Sequence, residues 1–137
     1  MRPIVVYDTN ILLSAVGWKG TPYQCLELAR TNAVDAVTCE ALLDELTEKL
    51  QAKLHFTPQR SIETVLDLLT FTKVIPITGQ LRVVPADPDD DKVVECAVLA
   101  GATHLVTGDR RHLLPMGNFH GIQIVTAAEF LALVAKP

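Results

Sequence analysis

The sequence has little of several features that would identify a protein class at once. Aromatic residues make up only 5% of its 137 positions, so we expect an aliphatic core. Its three cysteines (Cys25, Cys39 and Cys96) are odd in number and widely spaced, which argues against a disulfide framework or a thiolate zinc site. We expect them to be small, buried hydrophobic side chains.

Long apolar runs and a basic leader are also lacking. No apolar run approaches the roughly 20 residues of a membrane-spanning helix, and the N-terminus has no basic segment followed by an apolar signal core. We therefore expect a soluble, cytoplasmic protein without a membrane partner. The formal net charge of -4 argues against nonspecific nucleic-acid binding by the whole surface, but it allows a local basic rim around an acidic centre.

Short apolar strands alternate with helical segments along the chain. This alternation predicts an α/β fold with a mostly parallel central sheet flanked by helices on both faces, in one domain spanning residues 1–137. The predicted strands are 4–7, 35–38, 74–77, 104–107 and 122–125. The predicted helices are 11–16, 22–31, 39–54, 58–72, 92–101 and 127–135.

Local patterns predict where these helices start and which faces they bury. Capping-box patterns occur at Thr21–Gln24 and Thr126–Glu129. Leucines at helical spacing predict a buried stripe on helix 39–54, namely Leu42, Leu43, Leu46, Leu50 and Leu54. On helix 58–72 the side chains expected to point inward are Ile62, Val65, Leu66 and Leu69.

A run of aspartates precedes the helix at 92–101. Asp87, Asp89, Asp90 and Asp91 fall within five positions. One explanation is a helix start, with Asp87 as N-cap, Pro88 in the first turn and acidic side chains near the positive end of the helix dipole. The other is a cation site, because carboxylates this close together repel one another.

Two further aspartates follow predicted strands. Asp8 follows the strand 4–7, and Asp109 follows the strand 104–107 after Thr107-Gly108. If these strands are parallel neighbours, both acids share the carboxyl edge of the sheet, where open α/β sheets bind ligands. Asp8 could instead be a simple helix N-cap.

Glu45 is the best candidate for an inward-facing acid on helix 39–54, because it lies beside Leu42 and Leu46. The alternative, which spacing alone favours, is a surface ion pair with Lys49, four residues later.

Together these motifs resemble a PIN domain. The resemblance rests on Asp8-Thr9-Asn10 after the first strand, a helix carrying Glu45, the helix start DPDDDKVVECA, and LVTGD after a later strand. It is closest to bacterial PIN domains of toxin-antitoxin pairs, similar to VapC-type ribonucleases. The resemblance covers nearly the whole chain, and the four motifs occur in the right order.

The resemblance implies a metal-binding active site. Asp8, Asp90 and Asp109 match metal-binding acids, and Glu45 matches an acid that coordinates metal or positions water. Asp91 remains an alternative to Asp90, because sequence alone fixes the helix register poorly. The polar positions that would support the site are Thr9, Asn10 and Thr107. Many relatives carry a further acid a few residues after the Asp109 position, where this chain has His112.

The implied activity is hydrolysis of RNA phosphodiester bonds with Mg²⁺ or Mn²⁺, the ions that hard oxygen ligands select. The resemblance also implies a homodimer and a small antitoxin partner. Cationic side chains that could hold the RNA backbone, or simply solubilise the surface, are Lys19, Lys49, Lys53, Arg110 and Arg111.

Two other functions are compatible with an acidic sheet edge. A phosphatase with a nucleophilic aspartate would carry a second acid two residues after Asp8, where this chain has Asn10. A catalytically silent PIN-like binding module would bind metal or a partner without cleaving RNA.

Overall fold

One sheet organises the residues that the structure describes. The structure is a computed structural model, and it describes residues 2–83 and 90–135. The strands in these ranges are β1 (Ile4–Tyr7), β2 (Asp35–Thr38), β3 (Thr72–Val74), β4 (His104–Val106), β5 (Asn118–Phe119) and β6 (Ile122–Val125). They form a six-stranded sheet in the order β3-β2-β1-β4-β6-β5.

The helices flank this sheet. They are α1 (Thr9–Gly17), α2 (Thr21–Arg30), α3 (Glu40–Leu54), α4 (Pro58–Leu69), α5 (Asp91–Ala100) and α6 (Ala127–Ala135), with a 3₁₀ turn at Leu114–Met116. Neighbouring strands pair in parallel except β5, which runs antiparallel to β6. The predicted α/β fold with a mostly parallel sheet between helices is confirmed. None of the helices in the described ranges is long and apolar enough to cross a membrane.

The core lies on both faces of the sheet, as the alternation of side chains along β1 illustrates. Val5 and Tyr7 point into one cluster, where they meet buried side chains such as Phe130 of α6. Val6 points to the other face and joins a cluster that includes Cys96 of α5. Strands buried on both faces need apolar residues at successive positions, which explains the uninterrupted run at the N-terminus. The three cysteines are buried and unpaired, as predicted.

Several predicted boundaries agree with the structure. α5 ends at Gly101, whose φ of 65° lies in the left-handed region that glycine adopts easily. At the start of α6, Thr126 and Glu129 exchange side-chain to backbone hydrogen bonds of 2.9 and 3.1 Å, which confirms that capping box. On α3, Leu42, Leu46 and Leu50 are completely buried, whereas Leu43 and Leu54 are half-buried.

Several predicted element starts are wrong, including that of α1, which begins at Thr9 rather than at residue 11. The capping box at Thr21 does not form, because α2 begins one residue earlier than expected: Gly20 is the N-cap and its carbonyl accepts the first helical bond, from Gln24. The strand expected at 74–77 is β3, Thr72–Val74. It ends before Pro76, which has no N–H with which to extend the pairing. β5 and the 3₁₀ turn were not predicted.

The exposed face of α4 is the largest departure from the sequence prediction. The helix ends at Leu69, and Ile62, Leu66 and Leu69 are 54%, 57% and 39% exposed rather than buried. Ser61 and Leu68 pack inward instead. Burial of Ser61 is inexpensive because its hydroxyl donates to the carbonyl of Thr57, 3.0 Å away.

An ion pair between α2 and α4 accompanies this rotation of α4. Arg30 of α2 donates two hydrogen bonds, of 3.2 and 2.8 Å, to the carboxylate of Asp67. Because Asp67 and Leu68 are adjacent, the pair with Arg30 and the burial of Leu68 fix the same helix orientation.

Candidate functional site

The strands β1 and β4 bring the polar residues that follow them to one edge of the sheet. They are parallel neighbours, with Tyr7 paired to Val106. The backbone amide of Asp8 continues the pairing by donating to the carbonyl of Val106 at 2.9 Å. Asp8 and Thr107 therefore lie side by side at the carboxyl edge, as expected for parallel neighbours.

Asp8 is held from two sides at this edge. Its Oδ1 accepts a 2.7 Å hydrogen bond from the backbone amide of Thr9, so the residue does cap α1, and its Oδ2 accepts a 2.8 Å bond from the hydroxyl of Thr107. Burial raises the pKa of Asp8 above its ordinary value, and these hydrogen bonds oppose the shift only in part. The charged carboxylate is thus costly here unless a cation compensates it.

Asp109 begins the turn that follows β4. Its amide donates to the Thr107 hydroxyl at 3.0 Å, and its Oδ1 accepts from the amides of Arg111 and His112 at 3.0 and 3.2 Å. Although burial raises the pKa of Asp109, these backbone donors and its neighbours Asp90 and His112 outweigh burial and lower the pKa below its ordinary value. Asp109 is therefore a carboxylate at neutral pH.

Asp90 joins Asp109 from the start of α5. Ligand atoms of Asp90, Asp109 and His112 all lie within 4.8 Å of one another. Asp90 is the N-cap residue of α5. Asp87 and Asp89, including the predicted N-cap at Asp87, lie outside the described residues.

Asp91 points elsewhere in the fold. It is buried, and its Oδ1 accepts a 2.8 Å hydrogen bond from the backbone amide of Val83. One helical turn later, Glu95 accepts bonds of 2.6 and 3.1 Å from the amides of Thr78 and Gly79. These two acids anchor the segment before the helix, so the geometry groups Asp90, rather than Asp91, with Asp109.

Glu45 lies on α3, half-buried near Asp8. Its Oε2 pairs with Lys92 of α5 at 3.2 Å, whereas Lys49 donates to Oδ1 of Asn10 at 3.0 Å. The structure therefore replaces the expected Glu45–Lys49 ion pair with two contacts between elements. Burial raises the pKa of Glu45, but the nearby Thr9 hydroxyl and Lys92 outweigh it and lower the pKa.

The cationic residues predicted near the site differ in placement. Arg110 and Arg111 are exposed on the turn after Asp109, and Lys49 is half-buried beside Asn10. Lys19 and Lys53 are exposed. Lys92 was not anticipated as a site residue. Its position two residues after Asp90, within the acidic helix start, was the available signal.

The donor set of this edge fits a divalent cation. Asp8, Glu45, Asp90 and Asp109 offer hard carboxylate oxygens, which suit Mg²⁺ and Mn²⁺. The Thr9 hydroxyl is buried near Glu45 but meets the full geometry of a hydrogen bond with no group in the described ranges. A buried hydroxyl beside these acids that lacks a well-formed hydrogen bond is the kind of group that an ion-bound water satisfies.

Comparison with known protein families gives a match to the PIN domain over residues 4–111. The chain belongs to the PIN-domain family. Its fold is similar to VapBC2 of Rickettsia felis, solved bound to a DNA fragment from their promoter, at 16% identity and a TM-score of 0.61, over 88% of this chain and 96% of that one.

A second solved structure has the same fold as this PIN domain. It is VapC20 of Mycobacterium tuberculosis, a toxin that cleaves the sarcin-ricin loop, at 13% identity and a TM-score of 0.59, over 87% of this chain and 98% of that one. No curated protein matches the sequence. The family expected from Asp8, Glu45, the aspartate run and Asp109 is thus confirmed.

Proposed function

We propose that this PIN domain is a metal-dependent endoribonuclease and the toxin of a toxin-antitoxin pair. The observation that carries the proposal is the convergence of Asp90 and Asp109 with His112 at the sheet edge where Asp8 is buried. Burial raises the pKa of Asp8 at this edge, so its ionised form is costly unless a cation compensates it. The similarity of fold to VapC20, which cleaves RNA, supports the choice of reaction.

Each acid would have a defined part in binding the ion. Asp8, Asp90 and Asp109 would coordinate it, and Glu45, held by Lys92, would coordinate it or orient the attacking water. When bound, Mg²⁺ or Mn²⁺ supplies an activated water and neutralises charge on the phosphate. Thr107 keeps Asp8 and Asp109 in register, and the amides of Arg111 and His112 keep Asp109 ionised.

The RNA would lie along cations that border the acids. Lys49 and Lys92 line a surface groove with Glu45. Arg110 and Arg111 are exposed and directly follow Asp109 in the sequence. Cations at this position would bind phosphates without reading bases. Asn10 accepts from Lys49 and so fixes where that ammonium group lies.

The exposed side chains of α4 suit the partner proteins that the family implies. Ile62, Leu66 and Leu69 are large apolar groups left in solvent on one helix. Contiguous exposed apolar side chains mark protein interfaces more often than free surface. We assign this face to a homodimer contact or to an antitoxin, and light scattering of the chain alone and with its antitoxin would distinguish the two.

Cleavage of an RNA pool tests the proposed function. Purified protein is incubated with single-stranded and structured RNA in Mg²⁺, in Mn²⁺ and in chelator, and the product ends are mapped. We expect cleavage with either ion and none in chelator, restored when metal is added back. Tight metal binding without cleavage of any RNA would overturn the nuclease and favour a silent binding module.

A further inference from the structure

His112 places a nitrogen atom among the acids of the site. Its Nδ1 lies 3.5 Å from Oδ2 of Asp90 and 3.7 Å from Oδ2 of Asp109. Both distances exceed the range of about 2.7 to 3.2 Å that a direct hydrogen bond has. Two ligands that share one ion at about 2.1 Å are separated by about 3.0 to 3.6 Å at bond angles of 90 to 120°. The 3.5 Å spacing to Asp90 falls within this range and the 3.7 Å spacing to Asp109 lies just beyond it, so the nitrogen and the two oxygens are close enough to share one ion.

The fold fixes the backbone of His112 in position. The amide of His112 donates to Oδ1 of Asp109, while the amide of Leu114 donates to the Asp109 carbonyl at 2.9 Å. Leu113, the residue between them, is completely buried. Because this backbone is already ordered, little backbone entropy is lost when the His112 side chain binds an ion.

A nitrogen ligand changes which ion a carboxylate site prefers. Mg²⁺ favours oxygen donors, whereas imidazole raises the affinity for first-row transition ions. We propose that His112 binds the catalytic ion through Nδ1 and makes this site select Mn²⁺ over Mg²⁺. This inference rests on the metal-dependent function proposed above, and it assigns His112 as a ligand that determines metal specificity.

Pulsed electron paramagnetic resonance of bound Mn²⁺ tests the inference directly, because it detects nitrogen nuclei coordinated to the ion. The samples are the full chain, its His112→Asp variant and a His120→Asn control. His120 is an exposed residue with φ of 51° on the turn between β5 and β6, a conformation that asparagine tolerates. We expect nitrogen modulation in the full chain and the control, and none in His112→Asp.

Competition with Mg²⁺ gives the second readout. The ratio of Mn²⁺ to Mg²⁺ affinity should fall about tenfold or more in His112→Asp, since the variant exchanges nitrogen for oxygen. If that variant does not fold, ¹⁵N-histidine labelling of the full chain replaces it: the modulation must change to the ¹⁵N pattern.

The outcomes separate this inference from the proposed nuclease. Bound Mn²⁺ without nitrogen modulation, or modulation that survives in folded His112→Asp, overturns the role of His112 even when RNA is cleaved. Nitrogen modulation without cleavage of any RNA supports His112 as a ligand and overturns the nuclease. A chain that binds neither ion overturns both.

Discussion

The hydroxyl of Thr107 donates a 2.8 Å hydrogen bond to Oδ2 of Asp8 and accepts one of 3.0 Å from the amide of Asp109. Thr107 itself is completely buried. One hydroxyl thus links two acids that come from opposite ends of the sequence. Their relative position depends on this hydroxyl as well as on the pairing of β1 with β4.

Replacing Thr107 with valine removes this link while keeping the shape of the side chain. We expect the free energy of unfolding to fall by about 1 to 3 kcal/mol, because Asp8 and the Asp109 amide lose a buried partner. Metal affinity or RNA cleavage should fall about 10- to 100-fold, as when a group that orients metal ligands is removed. Denaturant unfolding and cleavage assays measure the two effects.

The Thr107→Ser variant is the matched control, since it keeps the hydroxyl and loses only a methyl group. It should retain most of the cleavage rate. Equal losses in the serine and valine variants would show that packing, rather than the hydrogen bonds, is what the site requires of Thr107.

The sheet edge could be predicted from the sequence because its signals are local. A buried parallel strand is mostly apolar, so the acids that follow such strands, Asp8 after 4–7 and Asp109 after 104–107, are visible in the sequence. The adjacency of β1 and β4 then follows from the family resemblance. Asp90 could not be separated from Asp91 in this way, because a shift of one residue rotates a helix by about 100°.

The orientation of α4 was not predictable from periodicity. Ile62, Leu66 and Leu69 form an apolar stripe, so the pattern indicated burial. In the structure another face, carrying Ser61 and Leu68, packs inward, and Asp67 pairs with Arg30, a residue far away in sequence. An apolar stripe that remains exposed is a property of the tertiary structure, and no local pattern reveals it.

Alanine substitutions on α4 test this orientation. Leu68 is 3% exposed, and we expect Leu68→Ala to lower the free energy of unfolding by about 2 to 5 kcal/mol, as for other buried leucines. Leu66 is 57% exposed, and we expect Leu66→Ala to lower the free energy of unfolding of the monomer by less than about 0.5 kcal/mol. Thermal or denaturant unfolding at low protein concentration measures both, and the reverse ranking would contradict the orientation of α4.

Glu95 should stabilise the fold without taking part in the chemistry. It accepts bonds from the hydroxyl and amide of Thr78 and from the amide of Gly79. We expect Glu95→Gln to lower the free energy of unfolding by about 1 to 3 kcal/mol at pH 7, because these bonds go to a charged group. Metal affinity should stay unchanged, which isothermal titration calorimetry would measure.

The effect of Glu95 should depend on pH with a definite sign. The hydrogen bonds from Thr78 lower the pKa of Glu95 in the folded protein. Its stabilisation is therefore fully present above the unfolded-state pKa of about 4.3 and is lost as the pH falls through the lower folded-state pKa. Chemical unfolding of the parent chain and of Glu95→Gln between pH 7 and pH 3 would measure this loss. A difference in unfolding free energy between the two that grows on acidification would contradict the assignment.

Lys49 should contribute to RNA binding through its charge. In Lys49→Gln we expect weaker RNA binding and a slope of log K against log salt that is smaller by about 1, as for the loss of one phosphate contact. Lys73→Gln is the control that removes the same charge, because Lys73 is exposed on β3 and lines a cleft that contains none of the four acids of the site. Fluorescence anisotropy at several salt concentrations measures both, and equal effects would indicate only a general loss of charge.

Asp8 should lower stability when the site holds no metal. Burial raises its pKa, so its ionised form opposes folding at any pH above that raised value. In chelator at pH 7 we expect Asp8→Asn to melt at the same temperature as the parent chain or higher. This effect of charge on the melting temperature should vanish below the unfolded-state pKa of about 3.9, where the aspartic acid of the parent chain and the asparagine of the variant are both neutral. A large drop in melting temperature at pH 7 would show that the carboxylate is structural.

The most direct test of the central claim is RNA cleavage in Mn²⁺ by the parent chain beside folded Asp8→Asn. Because asparagine can keep the cap on α1 but cannot supply a charged metal ligand, we predict that cleavage falls by at least about 100-fold while the melting temperature is maintained. Full cleavage by Asp8→Asn would contradict the assignment of this sheet edge as a metal-dependent active site.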